Sequence, residues 1–117
     1  VADTGNHRIQ VFDREGNLQR ILAIDPPGYM TATLRATDIE FSRDAAQRFL
    51  YVVDLGSDRI WIVERESAAI VGGVGRAGHM AGEFTFPHTV VVDSTGSLYV
   101  AETVGGRRNQ KFVSVSD

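Results

Sequence analysis

A short motif that occurs three times constrains the fold of this chain more than any other feature. The motif begins with apolar residues before an acidic residue, continues through a turn with glycine and reaches an arginine. Its copies are VADTGNHRI at 1–9, VVDLGSDRI at 52–60 and, with one extra residue, VAETVGGRR at 100–108. They start 51 and 48 residues apart, which suits a propeller array, whose blades run to about 40–50 residues.

Each copy of the motif lies between segments with the composition of β-strands. The runs FLYVVD at 49–54 and SLYVAE at 97–102 are rich in aromatic and β-branched residues, which fit the pleated surface of a sheet. The motif continues into RIQVF, RIWIV or NQKFV, and polar turns such as DREGN lead to further short strands. Because no segment keeps helical spacing over three turns, the sequence predicts an all-β chain.

Apolar residues occupy both faces of the predicted strands. Phe49, Tyr51 and Val53 would lie on one face of their strand, and Leu50 and Val52 on the other. A two-layer sandwich leaves one face of each sheet in water, whereas blades that pack against neighbours bury both. The pattern therefore favours a β-propeller of four-stranded antiparallel blades.

The sequence around the motif resembles that of NHL-repeat β-propellers. The resemblance is carried by VADTGNHRIQVF at 1–12 and GEFTFPHTVVVDSTGSLYVAE at 82–102, and it covers nearly the whole chain. Counting strands gives the end of one blade at 1–22, a complete blade at 36–74 and most of a third at 87–117, about two and a half blades. Since propellers close into a full ring, we expect a fragment of a larger propeller, truncated at both ends.

The second half also resembles bacterial NHL proteins related to the peptidyl-hydroxyglycine amidating lyases. The segments that carry this likeness are RFLYVVDLGSDRIWIVERES at 48–67, GRAGHMAGEF at 75–84 and GRRNQKF at 106–112. Asn109 departs from the pattern, because an apolar residue is usual in that strand. Histidines of a Pro-His motif bind zinc in the channel of those lyases, so the resemblance implies a metal role for His88. It also favours an extracytoplasmic location.

The acidic residue and the arginine of each motif copy have two interpretations. The carboxylate could bind a ligand, or it could accept turn N–H groups and orient the arginine. Recurrence in every copy favours the structural role. The residues concerned are Asp3 with Arg8, Asp54 with Arg59, and Glu102 with Arg108. We assign one repeat position, at which the side chain packs between blades, to Phe12, Trp61 and Phe112.

Strand direction decides which turns share a face of the propeller. Because antiparallel neighbours alternate direction, the connections between blades lie on the same side as the turns between second and third strands. That side, here called the long-loop face, carries the long segments 23–35 and 75–87. Functional residues concentrate on long loops of a rigid scaffold. We therefore expect any binding site on the long-loop face, around the central channel.

Four residues of the innermost strands are candidates for lining the channel: Thr37, Asp38, Glu40 and His88. His88 is a candidate metal ligand, for zinc or calcium, but a catalytic zinc needs three protein ligands. Thr37 stands at the equivalent position of the preceding blade, so the other ligands would have to come from blades outside this chain. Alternatively, His88 is a channel-wall residue bonded to a neighbour or to water. Asp38 and Glu40 face the same side of their strand and are either solvated channel residues or an acid/base or cation site.

Charge and composition narrow the range of partners. The net charge of −3, with the 12 basic residues scattered, disfavours nucleic acid, and no apolar run approaches the roughly 20 residues that cross a bilayer. The chain has no cysteine, which excludes thiolate metal sites.

We predict an interaction scaffold with a protein or small-molecule ligand on the long-loop face. The alternative is a metal-dependent lyase or hydrolase. Unpaired edges of an open propeller also predict self-association.

Overall fold

The computed structural model describes residues 1–26 and 34–115, so part of the predicted loop 23–35 lies outside the described residues. The described residues form strands, one short 3-10 helix at Thr4–Asn6 and no α-helix, which confirms the all-β prediction. The strands are β1 (Ala2–Asp3), β2 (Arg8–Phe12), β3 (Leu18–Leu22), β4 (Ala36–Phe41), β5 (Phe49–Asp54), β6 (Arg59–Glu64), β7 (Ile70–Val74), β8 (Pro87–Val92), β9 (Leu98–Glu102) and β10 (Asn109–Phe112). In this part of the chain, no helix has the length and apolar character needed to cross a membrane.

The strands form three antiparallel sheets, each a simple meander along the chain. Sheet 1 has the order β1-β2-β3, sheet 2 the order β4-β5-β6-β7 and sheet 3 the order β8-β9-β10. Sheet 2 contains the four strands of a complete propeller blade. The other two sheets have the same antiparallel pairing with three strands each. The three sheets are consistent with the predicted partial propeller of antiparallel blades.

Two apolar clusters join the sheets face to face. The first, between sheets 1 and 2, includes Ile9 and Leu22 from sheet 1 and Leu50 and Val52 from β5. The second, between sheets 2 and 3, contains Val53 of the same strand together with residues of sheet 3. Both faces of sheet 2 are therefore buried, as in a blade with a neighbour on each side. Each such buried aliphatic side chain contributes about 1.5–3 kcal/mol.

A β-bulge interrupts the innermost strand of sheets 2 and 3 at the same place. The register between β4 and β5 shifts between Ala36 and Asp38, so Thr37 lies outside the pairing. The register between β8 and β9 shifts between Pro87 and Thr89, which leaves His88 in the same situation. Bulges redirect side chains and are frequent beside functional sites.

Strand pairing corrects the repeat position that the sequence assigned to Trp61. Trp61 pairs with Val52, and Gln110 pairs with Val100, the repeat equivalent of Val52. Trp61 therefore shares its position with Gln110 and not with Phe112. The assignment from sequence was wrong because it matched aromatic residues by type, whereas equivalent positions are those that pair with equivalent residues of the preceding strand.

Candidate interaction surface on the long-loop face

The turn after the second strand and the connection that precedes each sheet are bonded to each other. In sheet 2, the Leu55 N–H donates to the Arg35 carbonyl at 3.0 Å. In sheet 3, the Thr103 N–H donates to the Phe86 carbonyl at 2.9 Å. These bonds bring turns and connections together on one side of the structure, which is the long-loop face.

Asp54 is the centre of the turn in sheet 2. Its side chain is fully buried. Its oxygens accept four hydrogen bonds of 2.7–3.0 Å. The donors are the Arg35 and Gly56 N–H groups, the Ser57 hydroxyl and the Trp61 indole N–H. Because burial of a carboxylate is costly unless it is hydrogen-bonded, these four donors are what allows Asp54 to occupy the site.

The structure brings the acidic residue and the arginine together in two of the three motif copies. Arg8 Nε lies 2.9 Å from Asp3 Oδ2, and Arg108 Nε lies 2.5 Å from Glu102 Oε2. The Glu102 side chain is fully buried, and it also accepts a hydrogen bond from Gln110 at 3.1 Å. In both copies the carboxylate orients the arginine at the far end of the turn.

The expected pairing of Asp54 with Arg59 is absent among the described contacts, which corrects the sequence interpretation for this copy. The Arg59 guanidinium lies over the Trp61 ring, 5.5 Å from its centre. The reason is that Trp61 occupies the position of Gln110 and gives its indole N–H to Asp54 at 2.9 Å. The Asp54 carboxylate therefore receives four hydrogen bonds without a contribution from the arginine.

Arg108 fixes the connection that leads into sheet 3. Besides Glu102, its guanidinium donates to three main-chain carbonyls at 2.6–2.9 Å, those of His79, Met80 and Glu83. Gln110 Nε2 donates to the Glu83 carbonyl at 2.7 Å, and the Gly82 N–H donates to the Gln110 side chain at 2.9 Å. The connection 75–86 is therefore tied to the turn and strand of its own sheet along much of its length.

In sheets 1 and 2, a left-handed residue before the motif arginine bonds to the connection that leads into the next sheet. His7 has φ 57° and Asp58 has φ 51°. His7 Nδ1 lies 2.9 Å from the Leu34 carbonyl, so Nδ1 is the donor in this bond. Asp58 Oδ1 accepts the Phe86 N–H at 3.1 Å. Burial raises the pKa of the Asp58 carboxyl, and the negative charges of Asp54 and Glu102 add to this shift.

Phe86 is held in a strained conformation on this face. Its φ is +52°, a region that disfavours a bulky side chain. Its N–H is bonded to Asp58 of sheet 2, and its carbonyl accepts the Thr103 N–H of sheet 3. The ring is nevertheless 46% exposed. Strained residues that the surroundings hold in place are frequent at binding sites.

Two further exposed apolar side chains lie on the long-loop face, one on the connection that ends at Phe86 and one on the turn that Thr103 bonds to Phe86. Met80 and Val104 are each 71% exposed. The backbone of Gly105 lies against the Phe86 ring, because a Cβ placed on Gly105 would be 3.2 Å from a ring carbon. We call Met80, Phe86, Val104 and Gly105 the Phe86 patch. Sequence reasoning located the loop but missed these residues, since it looked for titratable side chains.

The innermost strands place the predicted channel residues at the contact between sheets 2 and 3. The Thr37 hydroxyl donates to the His88 carbonyl at 3.0 Å, and Asp38 Oδ2 accepts the Val90 N–H at 3.0 Å. Glu40 forms an ion pair with Arg43 at 3.0 Å. Asp38 thus joins two sheets, and the side chain of His88 is exposed.

The described residues do not by themselves provide a zinc or calcium site. In the ranges 1–26 and 34–115, no group of three His, Cys, Asp or Glu side chains could hold a metal ion. Thr37 occupies the equivalent bulge in β4, and its hydroxyl donates to the main-chain carbonyl of His88. A metal-ligand role for His88 stays a prediction.

A cleft of about 570 Å³ lies between sheets 1 and 2, away from the Phe86 patch. It is lined largely by apolar residues of both sheets, among them Val11, Phe12, Phe41 and Leu50. Phe112, the equivalent of Phe12 in sheet 3, pairs with the second strand of its sheet. Among the described residues Phe12 pairs only with β3. The cleft therefore lies where Phe12 has no partner on the β1 side among the described residues.

Comparison with known proteins finds no matching family model. The chain is 30% identical, over 126 aligned residues and 99% of its own length, to the human protein named "NHL repeat-containing protein 3". It spans about a third of that protein, 32% of its length. Nothing in this comparison connects the chain to the amidating lyases. The repeated motif, the blade-like sheets and this similarity over nearly the whole chain together support a relation to the NHL-repeat β-propeller proteins.

Proposed function

We propose that this chain is a repeat-domain scaffold that binds a protein partner through the long-loop face. The observation that carries the proposal is Phe86, an exposed aromatic residue kept at φ +52° by bonds to two sheets. A strained, exposed and apolar side chain lowers stability in the free protein. Contact with a partner would bury the apolar side chain and offset this loss of stability.

Rigidity of the surrounding loop supports the same proposal. Arg108 and Gln110 bond the main chain of the connection, and an Arg76–Glu83 ion pair of 3.1 Å closes it on itself. A preformed surface loses little conformational entropy on binding, which favours affinity. Aromatic residues, phenylalanine included, are enriched in protein interfaces relative to the rest of the surface.

The proposal can be tested by selecting peptides from a random display library against the folded chain and mapping where they bind. Selected peptides are then measured by fluorescence anisotropy against the wild type and the Phe86→Ala and Val104→Ser variants. Val71→Ala is the matched control, because Val71 is 55% exposed on the outer strand of sheet 2.

We expect the selected peptides to lose affinity by about tenfold or more in Phe86→Ala and to bind Val71→Ala like the wild type. Circular dichroism confirms that each variant is folded. Peptides that bind equally well to all variants would place the preferred surface elsewhere and refute the proposal.

A further inference from the structure

Charges of opposite sign are exposed to different degrees on the long-loop face. The side chains of Asp54 and Glu102 are buried, and that of Glu83 is only 14% exposed. The side chain of Arg76 is 72% exposed, and Arg107 is exposed as well. On the connection 75–86 and the turn 103–107, the exposed charged residues are therefore arginines, although the whole chain has a net charge of −3.

Two of these arginines border the Phe86 patch. Arg107 Nε donates to the carbonyl of Val104, a member of the patch, at 3.0 Å. Arg76 lies on the connection that also carries Met80, and its ion pair with Glu83 leaves most of the guanidinium in solvent. A guanidinium has five N–H donors, so both side chains keep donors for a partner.

The nearest half-exposed acidic residue is already engaged. Asp58 Oδ1 accepts the Phe86 N–H at 3.1 Å. The patch is thus an apolar centre with cationic groups at its margin. The carboxylates around it accept main-chain N–H groups: Asp58 that of Phe86, Glu83 that of Met80 and Glu102 that of Thr85.

We propose that the Phe86 patch binds an acidic segment of a partner protein, in which one apolar side chain is flanked by aspartate or glutamate. This inference rests on the proposed function and names the partner chemistry. The apolar side chain packs against Phe86 and Gly105, and the flanking carboxylates bond to Arg107 and Arg76. Arginine forms paired hydrogen bonds with carboxylates, which adds geometric specificity.

Single-stranded nucleic acid is the competing occupant, since phosphates also bind arginine and bases stack on aromatic rings. Two observations favour the peptide. The other side chains of the patch, Met80 and Val104, are aliphatic and give no second stacking platform. The negative net charge of the chain also opposes a polyanion at long range.

The experiment uses a fluorescein-labelled peptide, Glu-Asp-Glu-Leu-Glu-Asp-Glu, with anisotropy as the readout. Comparison probes are the same peptide with glycine for leucine, a lysine-flanked leucine peptide and an oligouridylate of similar charge. Protein variants are Phe86→Ala, Arg107→Gln and, as a matched control on the opposite face, Arg14→Gln; Arg14 lies in the exposed turn between β2 and β3.

We expect the acidic leucine peptide to bind more tightly than every comparison probe. Phe86→Ala should weaken binding about tenfold or more. Arg107→Gln should weaken it about two- to fivefold, and Arg14→Gln should leave it unchanged. Binding should also weaken when the salt concentration rises from about 50 to about 300 mM, because the charge pairs are exposed.

Two results overturn the inference while leaving the proposed function intact. One is that display-selected peptides bind at Phe86 but are neutral or basic. The other is that the lysine-flanked peptide binds as well as the acidic one. Tighter binding of oligouridylate, lost in Arg107→Gln, overturns it in favour of nucleic acid. Failure of every peptide to depend on Phe86 refutes the proposed function itself.

Discussion

Replacement of Asp54 by alanine should be among the most destabilising single changes in this chain. Asp54 is fully buried and accepts four hydrogen bonds. In the alanine variant, water can reach the N–H groups of Arg35 and Gly56, which are exposed residues, but not the donors of the buried Ser57 and Trp61. Each buried donor without a partner costs about 1–3 kcal/mol. We therefore expect a loss of about 4 kcal/mol in the free energy of unfolding.

Asp54→Asn separates the contributions of the two carboxylate oxygens. The asparagine oxygen can still accept from the Arg35 and Gly56 N–H groups. Its amide nitrogen would face the Trp61 indole N–H, while the Ser57 hydroxyl can rotate to accept. One orphaned buried donor corresponds to a loss of about 2 kcal/mol, which lies between the wild type and Asp54→Ala.

Urea denaturation measures both variants through the fluorescence of Trp61, the single tryptophan of the chain. Asp13→Ala is the control, because Asp13 accepts similar hydrogen bonds in a turn whose other residues are exposed. Its donors regain water, so the loss should be about 1 kcal/mol or less. An Asp54→Ala variant no less stable than Asp13→Ala would refute the assignment of Asp54 as the centre of this turn.

Three further predictions follow from strain, charge and exposed sheet faces. Phe86→Gly should be more stable to urea than Phe86→Ala by about 1–2 kcal/mol, because glycine carries no penalty at positive φ; equal stability would show that residue 86 is not strained. Hydrogen bonds from Thr95, Ser97 and Tyr99 lower the pKa of Asp93 from 3.8 to about 2. The stabilisation by Asp93 is therefore complete above about pH 4 and lost as the pH falls from 3.8 toward 2. Asp93→Asn should flatten the dependence of unfolding free energy on pH in that window, and an unchanged slope would contradict the shift. Val91 and Tyr99, 53% and 40% exposed on sheet 3, should support self-association; light scattering should show oligomers of the wild type that Tyr99→Lys reduces, and a monomeric wild type would contradict this.

The repeated motif was sufficient to predict the sheets, because its period and its apolar residues on both strand faces exclude a sandwich. It was not sufficient to predict the partners of each carboxylate. Asp3, Asp54 and Glu102 stand at one repeat position, yet only Asp54 receives a tryptophan N–H in place of an arginine. That difference depends on pairing register, which brings Trp61 opposite Val52.

The sequence predicted where the candidate surface lies but not which residues form it. Strand direction placed the connection 75–87 on the long-loop face, whereas the positive φ of Phe86 has no signature in residue type. The third copy of the motif, which lies in the sheet next to Phe86, differs from the second in two ways. The turn from Glu102 to Arg108 is one residue longer than that from Asp54 to Arg59, and Glu102 replaces an aspartate. The longer side chain and turn occur in the sheet that accommodates the strained residue.

The central claim is that the sheets stand side by side as blades, with the bulges of β4 and β8 in contact at the long-loop face. Because the chain lacks cysteine, the double variant Thr37→Cys/His88→Cys tests this contact without background. The Thr37 hydroxyl lies 3.0 Å from the His88 carbonyl, so a short bifunctional maleimide should crosslink the two thiols within one chain. The control pair Thr37→Cys/Thr95→Cys, with Thr95 in the turn at the other end of sheet 3, should not be crosslinked by the same reagent. Absence of the crosslink in the Thr37/His88 variant, or a crosslink in the control, would contradict the arrangement.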